Sequence, residues 1–403
     1  MNRALAATAA ALVALGAVAA EDDTDFAASK GSQAEAQLRE RLEAAVRTIP
    51  GTDTQYLIGG YLQLDALATR KKQDGDEQNT FIVSTTPFGP ADPDYRLSVR
   101  QSTFGWLTRT PTSIGDVWTR LDVNLFPLDG KTALNLNQLY LRLGDWLLVG
   151  KSYSTFMDDD ALPTTLDYNG PSGITFVRQW LARGSIPFGS GWSVAASVEQ
   201  AQADLEAAGG LFSARTEARR PDLAARVRYE GDFGHVQLAG LSRSIDVTVE
   251  SPFGTRERHV NGTGVSLSGS LNVFGARSFL WQAVTGKGVG RYFNDPLSST
   301  GLALGSDLRL ELVRSSGLTL YYQHSWTPDW MTVAGASTLW VSTGGFRLPD
   351  ELRRVVYASA NLIYRVTPTL FVGGELLWGE ATRVDGTSAT NARVQLSVRY
   401  LVF

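Results

Sequence analysis

Residues 139–173 read LYLRLGDWLLVGKSYSTFMDDDALPTTLDYNGPSG, and the reading of this stretch decides the fold. Two short runs of alternating apolar and polar residues meet at Gly144-Asp145, a pair suited to a tight turn. An acidic loop punctuated by Pro163, Gly170 and Pro171 follows, and another alternating run begins at Ile174. Arg142 and Lys151 stand on the runs, while Asp158, Asp159 and Asp160 stand in the loop. The pattern predicts a hairpin that lines a pore and a loop folded into it. The plainer rival is an external loop whose acidic run is simply solvated.

Outward from this stretch, period 2 holds from Gln55 almost to the end of the chain. Candidate strands cover residues 56–67, 96–108, 116–126, 134–143, 145–153, 174–183, 192–201 and 222–230. The series continues with 235–248, 264–273, 277–285, 303–314, 318–325, 355–365, 369–379 and 392–403, sixteen in all. Short links with turn chemistry, such as 144–145, 231–234 and 315–317, alternate with mostly longer polar links, such as 156–173, 203–221 and 327–354. That alternation is the signature of an outer-membrane barrel with tight periplasmic turns and larger external loops.

Hydrocarbon offers no hydrogen bonds, so strands cross it only in a closed sheet. Strands of a soluble sandwich or propeller are usually shorter, about 5–6 residues, and no blade-length repeat is visible. The sequence therefore predicts an all-β chain, a 16-stranded antiparallel transmembrane β-barrel with a short N-terminal periplasmic helix.

The amino terminus carries export signals. Arg3 supplies a positive start, residues 4–16 are apolar, and Ala17-Val18-Ala19 offers a cleavage site, so residues 1–20 read as a signal peptide. Residues 21–53 read as a periplasmic extension, and residues 54–403 as the barrel. Within the extension, residues 32–49 (SQAEAQLRERLEAAVRTI) place Leu38, Leu42, Ala45 and Ile49 at helical spacing before Pro50-Gly51 ends the run. This segment suits either a surface spacer or a short oligomerisation helix. The expected location is the outer membrane of a Gram-negative cell.

Several function classes fall away. With no cysteine there is no disulfide, thiolate metal site or Cys nucleophile. A net charge of −4 argues against a nucleic-acid partner. The three His are scattered, no triad is readable, and residues 286–290 (GKGVG) lack P-loop spacing. No enzyme, cofactor or metal is expected; a calcium site at the three Asp lacks further ligands.

Parity within strands assigns faces. Arg120 shares its face with Asp122 and Asn124, Arg142 with Gln138 and Tyr140, and Arg226 and Arg228 with Glu230. Arg96 and Arg100 share a parity, and Arg399 lies with Gln395 and Ser397. An arginine facing lipid at the midplane would cost about 2–4 kcal/mol, so this set belongs in a wet lumen. Each one alone could serve a lumenal ion pair with Asp122, Glu230 or Glu311. Together they form a basic wall, which favours anions.

With these segments in view, the chain resembles the DcaP-like porins of Gram-negative outer membranes. The likeness rests on residues 59–66 (GGYLQLDA), 98–102 (SVRQS), 147–173, Arg178-Gln179, 286–292 (GKGVGRY), 360–364 (ANLIY) and the closing run 391–403. The resemblance implies a 16-stranded homotrimer, set in outer-membrane lipid and lipopolysaccharide, that takes up small organic acids. The expected function is passive diffusion of small anionic solutes, dicarboxylic or aromatic acids. Arg96, Arg100, Arg120, Arg142, Lys151, Arg178, Arg226, Arg228 and Arg399 would line the pore, and Asp158, Asp159 and Asp160 would form the constriction. The alternative is a structural or adhesive barrel whose external loops bind a surface partner.

Overall fold

The computed structural model describes residues 43–73, 79–126, 133–201, 206–209, 212–217, 219–251, 254–273, 276–295, 302–304, 310–342 and 348–402. The expected signal peptide and the first part of the expected helix lie outside these residues.

The sheet is polar within and apolar without. Along the last strand, Arg393, Gln395, Ser397 and Arg399 are buried, whereas Val394, Leu396, Val398 and Tyr400 are exposed, Leu396 by 58%. A water-soluble protein would reverse this, because exposing large apolar side chains to water is unfavourable. Only a lipid surround outside and a hydrated or hydrogen-bonded interior suit the pattern.

Sixteen strands close the barrel. They are β1 (Gln55–Thr69), β2 in two segments (Asp94–Ser98 and Thr103–Thr110), β3 (Val117–Asn124) and β4 (Asn135–Leu143). Next come β5 (Leu147–Tyr153), β6 (Arg178–Phe188), β7 (Trp192–Glu199), β8 (Asp222–Gly231), β9 (Gly234–Ser251) and β10 (Gly254–Val273). The last six are β11 (Ala276–Lys287), β12 (Arg314–Thr327), β13 (Trp330–Val341), β14 (Leu352–Thr367), β15 (Leu370–Arg383) and β16 (Ser388–Val402). Each pairs antiparallel with the next, and β16 returns to β1 from Gly60 opposite Val402 to Thr69 opposite Arg393, so no edge is left open there.

The strand count matches the expectation, although four assignments do not. Residues 303–314 were expected to span; instead Leu302–Leu304 and Leu310–Leu312 make a separate two-stranded hairpin at the long-loop end. Residues 315–317, expected as a turn, lie inside β12, and the real turn comes at Pro328-Asp329. Residues 330–341, expected within a loop, form β13. The sixth strand also begins later than residue 174, at Arg178, because the inward loop occupies the residues before it.

The helix expected over 32–49 ends early. Residues 43–45 are helical, and Arg47–Thr48 is extended and pairs with Tyr56 and Gln55. The reason is a free edge. Pairing between β1 and β16 stops at Gly60, so the lower part of β1 lacks a neighbour on that side until Arg47–Thr48 supplies one.

Aromatic rings cluster at the short-turn end. Phe188, Trp192, Tyr229 and Phe233 follow one another with centroids 6.1, 4.9 and 5.8 Å apart, and Trp330 stacks on Tyr364 at 4.3 Å. Amphipathic rings at one level mark a membrane–water boundary.

Candidate functional site

The loop between β5 and β6, residues 154–177, crosses the lumen and is fastened to the far wall. Its tip is held by Asp158, which is fully buried. The Asp158 carboxylate accepts from Ser268 Oγ at 2.6 Å, His235 Nε2 at 2.9 Å and Arg228 Nη1 at 3.4 Å. The other ring nitrogen of His235 lies 2.8 Å from Ser270 Oγ. A carboxylate cannot donate, so His235 carries its proton on Nε2 and Ser270 donates to Nδ1 when the ring is neutral. Burial alone would push the Asp158 carboxyl up, but His235, Arg228 and Ser268 together hold it below the usual carboxylate range.

Past the tip, the loop meets one strand after another. Thr164 N–H donates to Gln323 Oε1 at 2.9 Å, and Asn361 donates to the Thr164 carbonyl at 2.8 Å. The N–H groups of Leu166 and Asp167 both reach Glu375 Oε2, at 2.8 and 2.7 Å. The Leu166 carbonyl accepts from Gln395 at 2.6 Å and Gln101 at 2.9 Å. On the return limb, Gly173 N–H donates to Ser337 Oγ and Thr175 N–H to Gln282 Oε1, each at 2.7 Å. The backbone of an irregular loop needs such partners, and the polar inner face supplies them.

Two further segments pack on it. Phe81 N–H donates to Asp167 at 3.0 Å, and Ser84 N–H to Asp295 at 3.3 Å. Phe176 N–H donates to the Tyr292 carbonyl at 2.9 Å. Phe81, Phe156, Leu166, Tyr292, Phe293 and Tyr357 share one core beneath these loops. The β9–β16 side of the lumen is thus packed.

The expected pore-lining residues fall into groups. Arg96, Arg120 and Arg228 are inward but engaged by carboxylates: Arg96 with Asp94 and Arg120 with Asp122. Arg228 meets Asp160 at 2.6 Å, Glu230 at 3.2 Å and Asp158 at 3.4 Å. Arg399 donates to Gln63 at 2.6 Å and lies over the Tyr61 ring, and Arg100 is buried against Phe126. Arg142 lies 5.5 Å from the Trp118 ring, close to the Gly144 turn. Arg226 donates to Gln237 at 3.2 Å and, among the described residues, has no carboxylate ion pair.

Three expectations need correction. Asp158 does not face the passage; it is the buried anchor of the loop. Lys151 stands opposite Leu139 and Trp180, both exposed on the outer surface, so it has the outward register. Arg178, opposite Tyr153, shares that register. In each case a single residue's parity or loop position left the direction undetermined.

Asp159 and Asp160 are the partly exposed carboxylates of the tip. Burial and the neighbouring Asp160 push the Asp159 carboxyl up, while Arg226 and Arg183 pull it back. Arg183 was not among the expected site residues, although it shares its parity with Gln179 and Leu181. Only Ala195 and Ser197 of β7 separate Arg183 on β6 from Arg226 on β8, so nothing bulky stands between the two cations. His235 was also missed, and no local signal marks it, since its role depends on where a distant loop lands.

A barrel closed on itself, lipid-compatible outside and crossed within by its own loop, defines a channel of the outer membrane. The model of the Porin subfamily matches residues 48–396, and the chain belongs to that family of non-enzymatic channel proteins. Among solved structures, the fold is similar to the outer membrane channel DcaP of Acinetobacter baumannii, with a TM-score of 0.76 at 17% identity, covering 89% of this chain and 99% of that one. It is also similar to an anion-selective porin from Comamonas acidovorans (TM-score 0.56, 10% identity, 86% and 99% covered). A trimer form of OmpT from Vibrio cholerae gives a TM-score of 0.50 at 10% identity, again with 86% and 99% covered. At these identities the likeness is one of fold. No curated protein matches the chain.

Proposed function

We propose that the protein is a homotrimeric porin that passes small anionic solutes, dicarboxylic or aromatic acids, by passive diffusion. Export by a signal peptide over residues 1–20 and a setting in lipid and lipopolysaccharide belong to the same proposal. One observation carries it: Arg183 and Arg226 face the acidic loop tip without a carboxylate ion pair among the described residues. Arg96, Arg120 and Arg228 already have carboxylate partners, so they shape the field rather than bind.

A guanidinium offers a carboxylate two parallel hydrogen bonds, while Asp159 and Asp160 on the opposite side limit how tightly an anion is held. Conduction needs this balance, since a site must admit the solute and release it again. A dicarboxylate can exchange one arginine for the other without passing through an unpaired state.

Reversal potentials in planar bilayers, with a panel of small carboxylates, test the reading. The Arg183→Gln, Arg226→Gln double variant should lose most of the preference for anions. Cation selectivity in the unaltered protein, unchanged in the double variant, would sink the anion proposal. Failure of liposomes to swell in small solutes would instead favour an adhesive barrel.

A further inference from the structure

The outer face of the barrel sets two cations side by side. Lys287 on β11 and Arg314 on β12 stand directly opposite each other. Both are exposed, and both have the outward parity, which Lys287 shares with Thr285 and Arg314 with Leu318 and Leu320. Neither side chain has a carboxylate or hydrogen-bond partner among the described residues. Like charges directly opposite on a sheet repel, so the pair suits an anion held between them.

Depth says which anion. Lys287 lies eleven residues beyond Ala276 at one turn, and Arg314 thirteen before Thr327 at the next. At about 3.3 Å per residue and a tilt of about 45°, the pair stands roughly 26–30 Å above the short-turn end. The apolar band is about 25 Å tall, so both cations emerge just beyond its external border, at the level of headgroups. Trp340 marks the same border: it is exposed and lies opposite Ser316, the next outward residue below Arg314.

Below the pair the wall is hollow. A groove of about 1250 Å³ runs across the outer face of β6 to β10. Gly184, Ala196, Ala225 and Gly240, each opposite the next, form its floor, and exposed Leu223 and Leu238 rise on its two sides. The same row continues past Gly240 through Val265 and Thr285 to Ser316, beside the cations. Because the strands tilt, the row climbs: Gly184 is four residues from the short-turn end of its strand, and Ser316 is eleven. An acyl chain laid in this trough would carry its headgroup to Lys287 and Arg314.

We propose that Lys287 and Arg314 bind a phosphate of lipopolysaccharide in the external leaflet, with an acyl chain of the same lipid in the groove. This rests on the outer-membrane setting above and adds where on the barrel the lipid is held. The guanidinium takes a phosphate through two parallel hydrogen bonds, and the ammonium adds a point charge.

The test uses the purified full-length protein with three probes: lipid A bearing its phosphates, the same lipid dephosphorylated, and inorganic phosphate. Native mass spectrometry reads retention, and thermal melting reads protection. Phosphorylated lipid A should be retained several-fold better than the dephosphorylated form. Lys287→Gln with Arg314→Gln should abolish that difference and leave single-channel conductance unchanged. A Cβ at Gly240 meets nothing within 4 Å, so Gly240→Leu fills the groove without disturbing the wall and should weaken retention of both lipids. Equal retention of the two lipids by the unaltered protein, which needs no variant, would overturn the phosphate site. Retention unchanged by Gly240→Leu would overturn the groove, and a changed oligomer mass would put a second copy there instead. Protection by inorganic phosphate equal to that by lipid A would mean a free-anion site and overturn the lipid. A protein that prefers phosphorylated lipid A yet forms no channel would refute the porin reading and leave this site standing. A conducting protein indifferent to lipid A would do the reverse.

Discussion

Asp158 and Asp159 are adjacent in the chain and face opposite environments. Asp158 points into the wall, where three donors fix its charge; Asp159 points toward the passage, where burial and Asp160 work against its charge. Asp158→Ala would strip His235, Ser268 and Arg228 of a shared acceptor, so a cost of about 1–3 kcal/mol or more is expected from the unsatisfied groups. Thermal melting should show the loss, and single-channel current should become noisier as the tip is released. The pH response should follow Asp159. Its pKa is raised, so as pH falls its negative charge is lost at a higher pH than that of an ordinary aspartate, leaving Arg183 and Arg226 less opposed. Anion preference should therefore rise on acidification, beginning above the ordinary carboxylate range, and Asp159→Asn should show that raised preference already at pH 7. Reversal potentials across a pH series check both statements. At this scale the alternation made Arg120, Arg226 and Arg228 legible as inward residues, but it could not say which of them were already paired.

Elements were legible where periodicity and punctuation agreed. Gly144-Asp145 and the two runs beside it became β4 and β5 as expected. Residues 303–314 and 315–317 misled for a physical reason. The first alternate as well as a spanning strand does, and Gly317 looks like a turn residue. In the fold, Gly317 is a strand position where the inward loop presses close: a Cβ there would meet the Gly173 carbonyl oxygen at 2.1 Å and a Phe293 ring carbon at 2.5 Å. Gly173 is equally tight, with the Thr338 carbonyl at 2.3 Å from its would-be Cβ. Gly317→Val should push the return limb of the loop off the wall. The barrel should still form, judged by its heat-dependent shift in gel mobility, while single-channel conductance changes. Unaltered conductance would mean the loop does not bear on the passage.

At the scale of the whole molecule, closure is the governing constraint. Ten rungs join β1 to β16. Removing Ser388–Val402 would leave β1 and β15 with unpaired backbone in hydrocarbon, at several kcal/mol for each unsatisfied group. Such a chain should fail to assemble, seen as loss of the heat-dependent mobility shift and as protease sensitivity in the membrane fraction. The sequence by itself determined the barrel, because period 2 and the spacing of turns are local properties that a closed sheet must show. It also placed a basic set of side chains on the inner face. Tertiary structure alone decided that the loop crosses the lumen, that Asp158 anchors it, that Arg183 joins Arg226, and that Lys151 faces outward. Those outcomes depend on which distant strands meet the loop and on where register leaves each side chain, and neither is written in any single stretch of the chain.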